Sequence, residues 1–261
     1  MFETARYEGE RRVRGAGAFA LVLGLVSAVF VGLFPSFEDA GADEIADSFP
    51  PVFQELFGIE AMGTIEGFLA AEIYSFVWVL LVGLYVAYAA AGLITRDVER
   101  GRMDLLLSYP VSRRGVLFEK VAALGVPIVV LNVVVPVFVY GAVLLVGESI
   151  DPVRLVMVHA LSIPFFLACA GIGVVLSVAF DRVGRAQVTA LGLVVLLWLI
   201  DGLSYMEPDF EWIGDGTPSR YYDPTAVLVH REYAFLDASA LLAAFLVLLI
   251  IAAAIFSRRD I

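Results

Sequence analysis

Six long apolar stretches alternate with polar segments along the 261-residue chain. Each stretch has about 20 residues or more, the length that an α-helix needs to cross a lipid bilayer. The chain is 61% hydrophobic with a mean hydropathy of +0.89, whereas apolar residues make up only about half of a soluble domain. The pattern therefore predicts an all-α, polytopic membrane protein with a single domain over residues 1–261. The predicted spans cover residues 15–34, 68–94, 121–146, 153–180, 186–205 and 237–256.

The polar segments differ in charge according to the side of the membrane that they would occupy. When successive loops are assigned to alternating sides of the membrane, 14 of the 17 basic residues fall on the same side as the two termini. The exceptions are Arg154, Arg220 and Arg231. Because short basic loops are retained on the cytoplasmic side, both termini are predicted to be cytoplasmic and the protein to be a multi-pass protein of the cell membrane. A cleaved signal peptide is disfavoured, since the first apolar stretch is longer than the 7–15 residues of a signal sequence.

The segment from Arg96 to Lys120 holds six of the basic residues and interrupts the apolar pattern. Met103, Leu106 and Leu107 have the i, i+3, i+4 spacing that gives a short helix one apolar face. Pro110 should end this helix, and Ser112 can cap the next one. An apolar helix face needs a groove to bury it, so the segment is predicted to dock on another protein. The alternative is a solvated loop that only fixes the topology.

Motifs for catalysis are missing from the sequence. There is no G-x-x-x-x-G-K-[ST] phosphate loop, no H-E-x-x-H and no G-x-S-x-G. The lone cysteine, Cys169, excludes an internal disulfide and a thiolate cluster for a metal. A net charge of -11 disfavours nucleic acid as a partner. The chain is therefore expected to be no enzyme, and neither a cofactor nor a metal of its own is predicted.

The run E-R-G-R-M-D-L-L-L-S-Y-P-V-S-R, followed by Lys120, resembles the loop between the second and third spans of type-two ATP-binding-cassette (ABC) transporter permeases. In that family a run of the form E-x-G-x-x-[DE]-x-L-L-x-x-P-x-S-R, ending with a Lys, makes the coupling helix that a groove of the ATPase subunit receives. Arg102 and Glu119 depart from the usual pattern. The predicted coupling residues are Glu99, Gly101, Asp104, Leu106, Leu107, Pro110, Ser112, Arg113, Arg114 and Lys120.

The resemblance covers essentially the whole chain and implies the function. It implies a permease subunit that moves an unidentified substrate, with export the expected direction, driven by a separate ABC ATPase that binds the ATP. Membrane lipid surrounds such a subunit, which pairs as a homodimer or with another permease. The alternative hypotheses are a membrane scaffold and an ion-coupled secondary transporter. A further one is the permease of a copper or nitrous-oxide-reductase maturation system, in which Met62, Met206 and His230 would lie near the metal.

Three ionisable residues fall within the predicted spans near their outer ends: Glu72, His159 and Asp201. A charge at the centre of a bilayer costs about 2.5–3.5 kcal/mol, so these side chains should face the bundle or an aqueous vestibule. One hypothesis is a polar cluster at an external gate, whose members would be the ion carriers of a secondary transporter. The alternative is that Glu72 and Asp201 reach headgroup water.

Small residues in the second predicted span indicate close helix packing. Gly83, Ala87 and Ala91 recur every four residues, which lets another helix approach closely. Packing within one bundle is favoured over a subunit interface.

Overall fold

The computed structural model describes residues 3–50, 53–54, 57–109, 111–206 and 208–259, and within these ranges it is helical and contains no β-strand. The helices are α1 (Glu3–Asp39), α2 (Ala42–Asp47), α3 (Ile65–Ala91), α4 (Thr95–Glu99), α5 (Arg102–Leu107), α6 (Arg113–Ala122), α7 (Gly125–Leu145), α8 (Pro152–Ala179), α9 (Val183–Ser204) and α10 (Phe235–Arg258). The middle of α3, Ala70–Val82, has π-helical hydrogen bonding. Short 3₁₀ and π turns fill the connection between α9 and α10.

Among the described residues, six helical stretches are long and apolar enough to cross a membrane. They are Arg12–Asp39, Ile65–Ala91, Arg113–Leu145, Pro152–Ala179, Val183–Ser204 and Phe235–Arg258. This finding confirms the prediction of an all-α protein with six spans. The first and third stretches extend beyond the apolar residues that define the predicted spans, because helical hydrogen bonding continues into the polar flanks.

The start of α8 shows how local sequence sets a helix boundary. The Asp151 side chain accepts a hydrogen bond from the backbone N–H of Val153 at 2.9 Å, and Pro152 occupies the first helical position. A carboxylate cap satisfies an N–H that has no partner within the helix, and proline at this position gives up no hydrogen bond. The helix therefore begins sharply after the connection from α7.

The helix α8 forms the centre of the bundle. In its most apolar stretch, 78% of the residues are buried inside the protein, and it contacts α3, α7, α9 and α10. The helix α1 packs along α7, and α9 packs along α3.

The bundle has two ends. The terminal end carries Arg12, residues 92–109 and Arg259, and the loop end carries the described residues of the connections α1–α3, α7–α8 and α9–α10.

Candidate functional site

The basic segment folds across the terminal end of the bundle as α4, α5 and the first turns of α6. Gly101 joins α4 to α5 with a φ of +61°, a left-handed conformation that glycine adopts without steric strain. The hydroxyl of Ser112 accepts a hydrogen bond from the N–H of Gly115 at 3.0 Å and so caps α6. Pro110, where the sequence predicts the helix break, lies outside the described residues, and α5 ends at Leu107.

A buried ion pair holds this segment on the bundle. The ammonium of Lys120 in α6 lies 2.6 Å from a carboxylate oxygen of Asp97 in α4, and both residues are buried. The Nε of Arg102 lies 3.6 Å from the other oxygen. Leaving one member of such a pair alone in a low-dielectric interior costs several kcal/mol. Lys120, which the resemblance assigns to the coupling segment, therefore has its charged group directed inside this chain.

Further hydrogen bonds connect the segment to the remaining helices. The carboxylate of Glu99 accepts a hydrogen bond from the N–H of Val183, the first residue of α9, at 3.2 Å. Arg113 donates to the backbone carbonyls of Phe256 and Arg259 at the end of α10. Arg259 in turn donates to the carbonyl of Val178 in α8 at 2.8 Å. The segment is thus attached to α9 and α10 besides the two spans that it joins, and Arg259 connects the end of α10 to α8.

The apolar residues of α5 divide between the core and the surface. Met103 is fully buried, and Leu106 and Leu107 are half-buried against the core. Leu105 and Tyr109, by contrast, are 67% and 69% exposed. Sequence reasoning assigned the i, i+3, i+4 face to a partner, whereas the structure packs that face on its own bundle and leaves the opposite side open.

The remaining predicted coupling residues are accessible to different extents. Asp104, Ser112 and Arg114 are exposed, while Arg113 is half-buried beneath the end of α10. These positions leave a surface around α5 that another molecule can reach.

The three ionisable residues predicted to cluster have separate surroundings. His159 is buried in α8, with its Nε2 at 3.0 Å from the hydroxyl of Tyr74 and its ring 4.6 Å from that of Trp78. The carboxylate of Asp201 lies 3.4 Å from Nε of Arg220. Glu72 is half-buried in α3. In this described part of the chain, no hydrogen bond or ion pair joins Glu72, His159 and Asp201 to one another.

Asp201 instead lines a cavity of about 280 Å³ at the loop end. Arg220, which pairs with Asp201, also donates a hydrogen bond to the hydroxyl of Ser204 at 2.9 Å. The guanidinium carbon of Arg220 lies 4.1 Å from the ring centre of Tyr205. Sequence reasoning missed Arg220, because it placed this arginine in a long acidic loop. The signal available was its position as one of three basic residues on the predicted external side.

Two further carboxylates line the same cavity. Partial burial raises the pKa of the Asp223 carboxyl, while hydrogen bonds from the N–H groups of Ala226 and Thr225 act in the opposite direction. Glu60 lies 3.1 Å from Nε2 of His230. The contact between Glu60 and His230 joins the α1–α3 connection to the α9–α10 connection.

The residues considered for copper have different surroundings. Met62 is buried in the core and Met206 is 60% exposed. Within the described ranges, no group of three or more His, Cys, Asp and Glu residues is arranged to hold a metal ion.

Six membrane-length helical stretches among the described residues, with α8 at their centre, define a multi-pass α-helical membrane protein. The sequence model of the family described as ABC-2 family transporter protein matches residues 11–261, so the chain belongs to that family of ABC transporter permeases. Proteins of this family are membrane subunits that are not themselves catalytic. The curated proteins contain no match to the chain.

Proposed function

We propose that this chain is the permease subunit of an ABC transporter that exports its substrate across the cell membrane, with both termini in the cytoplasm. A separate ATPase subunit binds and hydrolyses the ATP, and two permease subunits, identical or different, associate in the membrane. Family membership and the six spans support this proposal. The observation that carries it is the segment α4–α6, which is fixed to the bundle by the Asp97–Lys120 pair while Leu105 and Tyr109 remain exposed.

The attachment of this segment to several spans allows it to transmit movement from a bound partner to the bundle. It joins α3 directly to α7, Glu99 contacts the start of α9, and Arg113 contacts the end of α10. A force applied to α5 by a partner would therefore reach four spans through covalent connections and hydrogen bonds. A flexible loop could not do this, since it would absorb the displacement.

Replacing Leu105 and Tyr109 together by Asp should uncouple the permease from its ATPase. The two side chains offer exposed apolar surface, and burying charges in their place should cost enough to weaken association at least about tenfold. We would purify the tagged permease from its native membranes, identify the co-purifying ATPase by mass spectrometry and measure its amount and its activity.

A matched control is Phe210→Asp with Trp212→Asp, which places the same two charges at exposed apolar residues of the loop end. This variant should retain the ATPase. If the double variant co-purifies with as much active ATPase as the control does, the segment is not the contact with the ATPase.

A further inference from the structure

A second cavity, of about 380 Å³, lies at the terminal end beside α4. Its charged lining, among the residues that the structure describes, consists of Arg12, Arg96, Arg100, Arg102 and a single carboxylate, Asp97. We propose that this cavity binds the phosphate group of an anionic membrane lipid. The proposal is independent of the ATPase.

The charge balance of the cavity favours an anion. Asp97, its only described carboxylate, is shared between the ammonium of Lys120 at 2.6 Å and Nε of Arg102 at 3.6 Å, so one negative charge lies among five positive ones. Like charges that line one concave wall repel one another and raise the local concentration of anions. A bound anion would relieve this repulsion.

The donors suit a phosphate group in particular. A guanidinium presents N–H groups in a planar fork that matches two phosphate oxygens, and several such forks can share one phosphate. Arg12, Arg96 and Arg102 are only partly exposed, so their side chains have already lost much of their freedom to move. Binding to such restrained donors costs less conformational entropy than binding to fully exposed ones.

The absence of a side chain at Gly92 makes room for this arrangement. A Cβ atom at this position would lie 2.9 Å from Nη2 of Arg96 and 3.1 Å from Nε2 of Gln187. The guanidinium of Arg96 can therefore lie against the backbone that follows α3, inside the wall of the cavity.

The position of the cavity indicates a lipid as the source of the phosphate. Arg12 begins the first membrane-length stretch, and Gly92 directly follows the last residue of the second. Both residues therefore lie where a span leaves the apolar core of the bilayer, at the depth of the lipid headgroups. With cytoplasmic termini, the cavity would face the inner leaflet, whose anionic lipids attract clustered arginines. A lipid seated there would join α1 to the basic segment.

Native mass spectrometry of the detergent-purified protein tests the proposal. Phosphatidylglycerol, phosphatidylcholine and inorganic phosphate are the probes. The wild-type protein should retain phosphatidylglycerol in preference to zwitterionic phosphatidylcholine, and this preference should weaken as salt is added. The double variant Arg96→Gln, Arg100→Gln should bind phosphatidylglycerol at least about tenfold more weakly.

The matched control is Arg182→Gln with Arg185→Gln, which removes the same charge from exposed residues at the same end but outside the cavity. This control should bind phosphatidylglycerol as the wild type does. An equal loss in both double variants would show general charge attraction and overturn the proposal.

Two further outcomes would also overturn it. Displacement of the lipid by equimolar inorganic phosphate would identify a site for free anions. Unchanged lipid binding by the Arg96→Gln, Arg100→Gln variant, with loss of the co-purifying ATPase, would assign these arginines to the protein partner. The comparison of phosphatidylglycerol with phosphatidylcholine uses the wild-type protein, so equal retention of the two lipids would overturn the proposal even if a variant folds poorly.

Discussion

Asp97 and Lys120 are 23 positions apart in the sequence, and their side chains meet inside the protein at 2.6 Å. Their burial makes each charge dependent on the other, because neither can recover its hydration while the segment is folded. Arg102 adds a weaker interaction with the same carboxylate. The pair thus determines how the start of α4 and the end of α6 sit against each other.

Lys120→Met should destabilise the protein by about 3–5 kcal/mol, because Asp97 would be left buried without its partner. Asp97→Asn should have a similar effect. The double variant Asp97→Leu, Lys120→Met should recover much of the loss, since no uncompensated charge remains. Thermal unfolding of the detergent-purified proteins measures the difference.

Arg114→Gln provides the control for charge removal, because Arg114 is exposed in the same helix and its loss should change stability by no more than about 0.5 kcal/mol. A melting temperature of Lys120→Met equal to that of Arg114→Gln would mean that the ion pair does not hold the segment.

For individual residues, the sequence was sufficient to predict only some of the contacts. The capping role of Ser112 follows from local chemistry, since a hydroxyl before a helix has an N–H within reach. The inward direction of Lys120 and the pairing of Arg220 with Asp201 depend on tertiary contacts between distant parts of the chain. Neither composition nor helical spacing carries that information.

Among the elements, α3 and α8 approach each other most closely at small residues. A Cβ atom added at Gly173 in α8 would lie 2.3 Å from the carbonyl oxygen of Ala87 in α3. Ala87 and Ala91 are fully buried, and Gly83 faces Phe165 and Cys169 of α8. The predicted small-residue face therefore packs within the bundle.

Gly173→Ala should lower the melting temperature clearly, because the new methyl group has to push two backbones apart. Gly192→Ala is the matched control: a Cβ at Gly192 meets nothing within 4 Å, and alanine favours a helix by about 1 kcal/mol over glycine. Equal melting temperatures for the two variants would contradict the close packing of α3 against α8.

Hydropathy was sufficient to predict six membrane-length helices, because a helix of this length satisfies its backbone groups internally within a bilayer. Hydropathy could not predict which face of α5 lies inward. The spacing of Met103, Leu106 and Leu107 is equally suited to a partner's groove and to the chain's own core, and the core is where Met103 lies.

For the molecule as a whole, the two ends differ in charge. The terminal end carries the arginines of the basic segment, whereas the loop end carries most of the described acidic residues of the connections, among them Glu60, Asp215 and Asp223. An orientation with the termini in the cytoplasm follows from this asymmetry as a prediction.

Cysteine labelling in intact cells measures that orientation. In a Cys169→Ala background, Asp215→Cys should react with an impermeant thiol reagent, because this exposed position is predicted to be external. Leu105→Cys, which is also exposed, should react only after the cells are permeabilised. Reaction of Leu105→Cys in intact cells would reverse the orientation and exclude a cytoplasmic ATPase at α5.

The contact between Gly173 and Ala87 also restricts how the protein can move. Where two backbones touch without side chains between them, one helix cannot slide along the other without a clash, since packed cores change between discrete arrangements and do not deform smoothly. We therefore expect α3 and α8 to travel as one rigid body whenever the protein changes shape.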